Sequence, residues 1–471
     1  MMGAVLQIAT VVPLLLATAQ GFSLSRTPTT RLTTTTNRIP QQQSRQQQQQ
    51  QQLCHSASSF ATMTTRRYAI PNDPLGTTTA ASRTTTPQTR KKESLKPFGR
   101  YLEVECWKQA ELRGLEPTLV AVANACKQIN RIVQRAQTDN VYGAATTTTS
   151  GSGGSTTNGD STTTTAVVNV QGEVQQKLDV ICNDLFLRAF CGSSQCIHTV
   201  ASEEEDEPRC CSDVMNDPAF AMGEFVAVFD PLDGSKNIDA SLPVGSIFGI
   251  YRPEAGSNLN NKDDLAAAFC HGDASRTLVA AGYCLYSATT VMVLTLGSGV
   301  DGFTLDPDTG RFLQTHSDLR IPSRGPIYSF NEANYRDFDK PVQEYLNSLK
   351  QQKRSTAKKQ QQQPVSARYM GALVADAHNV LINGGIYGYP ATFSNRQGKL
   401  RLMYESNPMA MIMEQAGGAG STGYGRILKV KPKDIHQRVP TFLGSIENVF
   451  ELDQFCKYYS EDDENQQRWE S

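Results

Sequence analysis

Residues 225–235 read FVAVFDPLDGS, and this stretch decides the fold. Its first five residues are apolar, two of them β-branched and two aromatic, as in a strand covered on both faces. Pro231 removes a backbone donor and is expected to stop the strand. Asp230 and Asp233, three apart across a turn, can then converge on one point, and the Leu232 carbonyl can join them. Gly234 lets the chain bend and exposes backbone N–H groups to a phosphate. Hard oxygen donors of this kind select Mg²⁺ or Mn²⁺ over zinc. A polar turn capping a helix is the plainer reading, since Asp and Gly favour turns anyway. The metal reading gains weight from two other acidic sites, SEEE at 202–205 and Glu405 within KLRLMYESNPMA at 399–410. Alone, Glu203 and Glu204 would read as a solvated loop and Glu405 as a capping or surface residue.

Outward from this strand, helices and strands mix without strict alternation, which indicates layered α/β packing. Apolar residues at i+3 and i+4 spacing predict a helix over 117–137, through Val122, Cys126, Ile129 and Val133. A second is expected at 175–190, with Leu178, Ile181, Leu185 and Phe186 inward. An acidic loop is expected at 203–217. SIFGIY (246–251) is a further buried strand, and TTVMVLTL (289–296) and GFTLD (302–306) form a hairpin that GRFLQT (310–315) extends. Helices follow at 373–382 and 407–416, the second stopped by Gly417-Gly418. The Thr/Gly/Ser tract at 144–165 reads as a mobile loop and the Lys/Gln-rich stretch at 350–363 as a surface excursion.

The chain ends carry a different message. Residues 22–92 are mostly Thr, Gln, Ser and Arg, with polyglutamine at 46–52, and cannot bury enough apolar surface to fold. Residues 4–19 are apolar, too short to span a membrane and of signal-peptide length, ending in small residues. The Ser/Thr/Arg-rich, acid-poor stretch behind them has transit-peptide composition. Together they resemble the bipartite plastid-targeting leaders of algae with secondary plastids, with Phe22 just after the cleavage point; a secreted chain with a disordered spacer is the alternative. The first 92 residues hold ten Lys and Arg and one acid. Of the chain's 45 basic and 46 acidic residues the remainder keeps 35 and 45, a net charge of −10. An acidic body argues against nucleic-acid binding and suits a protein that gathers divalent cations. Eleven cysteines with no CxxC pair argue against a zinc site and a disulfide framework, so most are expected as reduced, half-buried thiols. Adjacent Cys210 and Cys211 cannot readily bridge each other.

Basic groups complement the acids. Lys399 and Arg401 alternate along a strand and so share a face, and Arg368 precedes Tyr369. Cations beside tyrosines suit phosphate and sugar hydroxyls.

These stretches, with GEVQQKLDVICNDL (172–185), FDPLDGSKNIDASLPVGSIFGIYR (229–252), IYSFNEANYRDFD (327–339), ARYMGALVADAH (367–378) and DIHQRVPTFLGS (434–445), resemble fructose-1,6-bisphosphatase, of the Mg²⁺-dependent sugar- and inositol-phosphatase superfamily. The resemblance covers about 100 to 456, in order, and is weaker to the relative that acts on sedoheptulose 1,7-bisphosphate; a bisphosphatase of dual range and a catalytically idle homologue are the other readings. It implies a layered αβαβα fold in two subdomains, 97–319 with most metal ligands and 320–460 with the sugar site. Before them stand a signal peptide (1–21) and a disordered leader (22–96), and after them a tail (461–471). It implies two to three Mg²⁺ ions, or Mn²⁺, on Glu203, Asp230, Leu232, Asp233 and Glu405. Asp179 and Glu204 would act on the attacking water, with Glu173 a further acid on a mobile loop. Gly234 and Ser235 would meet the 1-phosphate. Asn331, Tyr335, Tyr369, Tyr389 and Lys399, with Arg368 from a neighbouring subunit of a homotetramer, would bind the 6-phosphate and sugar. Arg401 would lie near the metal-bound phosphate. Lys236 stands where the family has a second Ser, open to the 1-phosphate or to solvent. Glu224-Phe225 replaces a Lys-Tyr pair of the AMP site, so weak or no AMP inhibition is expected. The segment 252–279 holds one cysteine, Cys270, and lacks the usual regulatory pair; Cys210-Cys211, Cys191 or Cys196 could supply another redox pair, but control by thioredoxin is not the expectation.

Overall fold

The computed structural model describes residues 95–149, 163–166, 175–254, 259, 269, 273–351 and 365–460. The expected leader as far as residue 94, the tail at 461–471, Glu173 and Cys270 lie outside them. Two helices, α1 (Phe98–Lys108) and α2 (Leu115–Gln134), precede a hairpin of β1 (Thr146–Thr149) and β2 (Thr163–Ala166). That hairpin corrects the loop reading at 146–149 and 163–165, since β-branched threonines fit an extended ladder. The stretch between its strands, like 352–363 of the expected surface excursion, lies outside the described residues. Then come α3 (Lys177–Gly192), β3 (Ile197–Ser202), β4 (Arg209–Cys210), α4 (Cys211–Met215), β5 (Phe225–Asp233) and β6 (Val244–Tyr251). The acidic loop expected at 203–217 is therefore shorter, because β4 pairs with β3 and a helical turn follows at once. The meander continues through β7 (Leu278–Tyr286), β8 (Thr290–Thr295), β9 (Asp301–Asp306) and β10 (Arg311–His316). These strands form one eight-stranded sheet in the order β10-β9-β8-β7-β6-β5-β3-β4, antiparallel except between β3 and β5.

Strand β5 does not stop at Pro231. It runs to Asp233, with its register against β6 shifting between Asp230 and Asp233. Pro231 and Leu232 there face the single residue Ser246, whose hydroxyl donates to the Pro231 carbonyl at 2.7 Å. In such a bulge no ladder N–H is needed from the proline, so the strand absorbs it.

The remaining elements are β11 (Ile327–Phe330), α5 (Lys340–Gln351), β12 (Ser366–Ala367), α6 (Leu373–Asn383), β13 (Gly385–Tyr389), β14 (Leu400–Arg401), α7 (Asn407–Gln415), β15 (Ala419–Ser421), β16 (Arg438–Val439), β17 (Thr441–Gly444) and α8 (Ile446–Ser460). A five-stranded sheet runs β12-β11-β13-β17-β15.

Side-chain alternation along β5 explains the layers. Phe225, Ala227 and Phe229 enter one core with α1, α2 and α3, where Phe229 stacks on Phe186 at 5.2 Å and on Phe190 at 5.6 Å. Val226 and Val228 enter a second core with Leu373, Val374 and Ala377 of α6 and Met409 and Ile412 of α7. The far face of the smaller sheet, with Phe330, Ile386 and Phe442, packs on Tyr345 and Leu346 of α5 and Val449 and Leu452 of α8. The result is five layers, αβαβα. Burying a Phe or Val side chain stabilises by about 1.5–3 kcal/mol, so both faces of β5 contribute. Among the described residues no helix is long and apolar enough to cross a membrane.

One expectation about sulfur is overturned. Cys191, in the last turn of α3, and Cys211, opening α4, are disulfide-bonded with Cα atoms 4.8 Å apart. They stand 20 residues apart in sequence, and only the packing of α3 against α4 brings them together. Cys106, Cys126, Cys182, Cys196, Cys284 and Cys456 are free thiols, as expected. Closing a loop of that length stabilises by about 3 kcal/mol in the chain-entropy account. Replacing both Cys191 and Cys211 by Ala is expected to lower the unfolding free energy by about that amount in a urea titration. An unchanged midpoint would remove the covalent tie as a source of stability.

Candidate functional site

A cavity lies where the bulged end of β5 meets the N-terminus of α6 and the segment around β14. Asp179, Glu203, Glu204, Asp230, Leu232, Asp233, Gly234, Ser235, Lys236, Tyr369, Tyr389, Lys399, Arg401 and Glu405 all line it, as the sequence led us to expect of them as a group.

Each side chain is delivered by a local feature. Asp230 leaves the buried part of β5 and its Oδ1 accepts the Leu232 N–H at 3.0 Å. Asp233 Oδ2 accepts the Val374 N–H, in the first turn of α6, at 2.7 Å. The helix dipole favours an anion there. Gly234 follows with φ +74°, and a Cβ on it would lie 2.5 Å from the Ala372 Cβ, so both backbone sign and space demand glycine. Glu203 and Glu204 occupy the turn after β3, where the Glu203 N–H donates to the Phe229 carbonyl at 3.1 Å. Glu405 sits in a π-helical segment, Leu402–Ser406, between β14 and α7, the kind of irregularity that recurs at functional sites. Asp179 lies in the first turn of α3 in a capping box with Gln176: its Oδ2 accepts the Gln176 N–H at 2.7 Å and the Ser235 hydroxyl at 3.4 Å. Glu204 Oε2 accepts from Gln175 Nε2 at 2.8 Å.

The electrostatics are dominated by buried negative charge. Burial, then the charges of Glu203, Asp233 and Glu405, push Asp230 well above the usual carboxylate range. Burial pushes Asp233 up to about 7, against the N–H groups of Val374 and Leu373, which favour its ionised form. Burial also lifts Glu405 to about 8, opposed by Arg401 and reinforced by Glu203. The Arg401 guanidinium stands between two of these acids, 2.8 Å from Glu203 Oε1 and 3.7 Å from Glu405 Oε2.

Among the described residues, no group of three or more His, Cys, Asp or Glu side chains closes around a single point. The acids share a cavity, and Arg401 pairs with two of them. The donor set nevertheless fits hard divalent cations: it is carboxylate and carbonyl oxygen throughout. Its raised proton affinity marks a deficit of positive charge that a cation would fill in place of protons.

Three predicted residues stand elsewhere. Asn331 is not in the cavity lining; its side chain caps a short turn by accepting the Ala333 N–H at 3.3 Å. The Tyr335 hydroxyl donates to Asn347 at 3.0 Å. Arg368 lines a neighbouring cavity beside Pro243, His378 and Ile382, sharing Tyr369 with the first. Glu173 is outside the described residues. The sequence reading missed Asn237, Gly371, Leu373, Tyr387 and Leu400, which complete the lining. Asn237, two residues beyond Ser235 in the same turn, was within reach of that reading; the apolar ones carried no signal apart from the cores.

A five-layered α/β body with a carboxylate-rich, cation-rimmed cavity defines a sugar-phosphatase type of fold and site. The family models named fructose-1-6-bisphosphatase, N-terminal domain and C-terminal domain, match residues 102–317 and 321–457. The chain therefore belongs to the fructose-1,6-bisphosphatase family. It is 43% identical over 343 residues to chloroplastic fructose-1,6-bisphosphatase 1 of Arabidopsis thaliana, covering 71% of this chain and 74% of that one. To the chloroplastic protein of Spinacia oleracea it is 42% identical over 349 residues, covering 72% and 75%. The structure resembles the holo form of Leishmania major fructose-1,6-bisphosphatase with a TM-score of 0.67 and 35% identity, over 77% of this chain and 99% of that one.

Gly234→Ala is expected to fold but to lose about 1–2 kcal/mol to its left-handed backbone and to force Ala372 away. If the N–H groups of this turn receive a phosphate, titration calorimetry with inorganic phosphate should show binding weakened at least about tenfold. Unaltered binding would remove the turn from the phosphate site.

Proposed function

We propose that this chain hydrolyses the 1-phosphate of fructose 1,6-bisphosphate, releasing fructose 6-phosphate and phosphate. One observation carries the reading: a single cavity gathers Asp179, Glu203, Glu204, Asp230, Asp233 and Glu405 with Lys236, Lys399 and Arg401. A phosphomonoester dianion is repelled by carboxylates alone and drawn in by cations. Two to three Mg²⁺ ions, with Mn²⁺ as the alternative, held by Glu203, Asp230, Asp233, Glu405 and the Leu232 carbonyl, would supply the missing positive charge and make bound water more acidic.

The chain's own residues do the rest. Gly234 and Ser235 receive the 1-phosphate on backbone N–H and hydroxyl, and Lys236 adds a charge beside them. Asp179 and Glu204 accept the proton of the attacking water at carboxylate oxygens that Gln176 and Gln175 already hold in place. Glu173 is assigned as a further acid of the same step. Lys399, Tyr369 and Tyr389 hold the sugar and 6-phosphate, with Asn331 and Tyr335 further out. Arg401, paired here with Glu203 and Glu405, would lie near the metal-bound phosphate and stabilise it. Arg368 is assigned to the site of a neighbouring subunit of a homotetramer, as the family resemblance implies; in its own chain it lines a second cavity beside the first.

We assign residues 97–319 and 320–460 as the two subdomains and 1–21 with 22–96 as a signal and transit leader to the plastid. The names of the chloroplastic relatives support that address. Its use there is carbon fixation or gluconeogenic sugar-phosphate metabolism. Glu224, at 4.0 Å from Arg252, puts an anion where the family's AMP phosphate would sit. Micromolar AMP is accordingly expected to leave phosphate release unchanged; half-inhibition in that range would overturn the reading.

The deciding experiment measures phosphate release from fructose 1,6-bisphosphate and from sedoheptulose 1,7-bisphosphate, with Mg²⁺ and with chelator. Mg²⁺-dependent turnover of the six-carbon substrate is expected, with the seven-carbon one slower. Asp233→Ala should lower it at least about 100-fold with an unchanged circular-dichroism spectrum. Near-normal activity would sink the metal assignment, and no turnover of either bisphosphate by the parent chain would sink the function.

A further inference from the structure

The segment between β12 and α6, residues 368–372, carries two cavity-lining residues, Tyr369 and Gly371, yet has no ladder of its own. Its backbone polar groups must therefore find other partners. They find one above all. Asp376, in the first turn of α6 and 1% exposed, turns its carboxylate back onto the chain that precedes its helix. Oδ1 accepts the Met370 N–H at 2.9 Å and the Ser329 hydroxyl at 2.8 Å. Oδ2 accepts the Gly371 N–H at 3.0 Å and shares that of Met370 at 3.1 Å. The reach resembles a capping box, extended beyond the cap, Ala372, to the two residues before it.

The same peptide is gripped from its other side. The Met370 carbonyl accepts from Asn237 Nδ2 at 3.0 Å, and Asn237 belongs to the turn that follows Asp233, Gly234 and Ser235. Gly371 holds φ +84°, a conformation that needs an external clamp to be the sole one populated. Ser329, the hydroxyl donor, lies two residues before Asn331 in β11. The Arg368 N–H donates to the carbonyl of its neighbour Tyr328 at 2.9 Å. One buried carboxylate thus ties together the strand leading to Asn331, the segment bearing Arg368, Tyr369 and Gly371, and the helix whose Val374 N–H holds Asp233. Asp376 does not itself line the cavity.

We infer that Asp376 is a positioning residue for sugar-phosphate binding: by holding the N–H groups of Met370 and Gly371 and the Ser329 hydroxyl, it fixes the segment that presents Tyr369 to the substrate. The inference rests on the assignment of the cavity to fructose 1,6-bisphosphate. An ionised carboxylate suits the task because all the contacts named at both its oxygens are accepted ones. An amide in its place keeps the shape but turns a donor toward a backbone N–H.

The test uses the full chain with Asp376→Asn, Ser329→Ala and Tyr369→Ala. Asp376→Asn is expected to raise KM for fructose 1,6-bisphosphate about tenfold or more while kcat stays within about threefold, the pattern of lost substrate binding. Ser329→Ala, which leaves the backbone contacts, should raise KM less, and it keeps the test open if Asp376→Asn does not fold. In the Tyr369→Ala background, Asp376→Asn should add little further to KM, because its effect passes through Tyr369. Hydrogen exchange at the Met370 and Gly371 amides should be slow in the parent and fast in Asp376→Asn. A fall in kcat with KM unchanged, additive KM effects with Tyr369→Ala, or unaltered exchange at 370–371 would each overturn the inference. If the parent chain fails to hydrolyse the bisphosphate, the cavity assignment fails by itself, while amide exchange still decides whether Asp376 fixes the segment.

Discussion

Negative charge buried at the end of a strand covered on both faces governs this protein. Asp230 and Asp233 leave β5 where water is already excluded, and Glu203 and Glu405 approach from two other segments. Carboxylates in such a place repel one another and hold protons that solvent-exposed acids would have lost. Every neighbouring feature reads as a response to that cost. Arg401 places its guanidinium against Glu203 and Glu405, backbone N–H groups converge on Asp233, and a helix N-terminus is aimed at it. The chain tolerates the arrangement because the two cores on either side of β5 supply far more stabilisation than the acids remove.

Both halves of the chain are needed to make the site. The large sheet contributes Asp230, Asp233 and the turn with Glu203 and Glu204. Glu405, Arg401, Lys399 and the tyrosines come from after residue 365. What joins them is a small number of polar contacts across the layers. Val374 donates to Asp233, Asn237 donates to Met370, and the hydroxyl of Tyr251 in β6 donates to the Met403 carbonyl beside Glu405, at 2.9 Å. Shape enters as well. Gly234 and Gly245 let α6 approach until their hydrogens stand where a Cβ would lie 2.5 Å from Ala372 and Val374. A cavity lined by carboxylates, cations and tyrosines is what remains between those surfaces.

Much of this was legible beforehand. The period of the apolar residues located α2, α3, α6 and α7 to within a few residues, because a helix face and a sheet face leave different repeats. Asp230 and Asp233 could be paired from their turn, whereas Glu203 and Glu405 joined them as ligands of one site only through the family resemblance. The failures have equally physical causes. Pro231 was read as a stop, but a bulge opposite Ser246 removes the need for its missing N–H. That Cys191 pairs with Cys211 was not legible, since nothing in a linear spacing shows that two helices will pack with their ends together. Asp376 carried no signal in VADAH, because its partners lie in other segments or in the backbone before it.

By itself the sequence determined several of the elements, the apolar stripes that make them pack in layers, and much of the inventory of acids, cations and glycines at the site. Those depend on residue type and local spacing, which are properties of the chain. Only the tertiary structure decided which groups meet: that Arg401 lies between Glu203 and Glu405, that α3 and α4 are joined through sulfur, and that one buried carboxylate holds the wall of the cavity. Contacts between residues far apart in the chain depend on how two packed faces slide to fill space, and filling space is a property of the whole core.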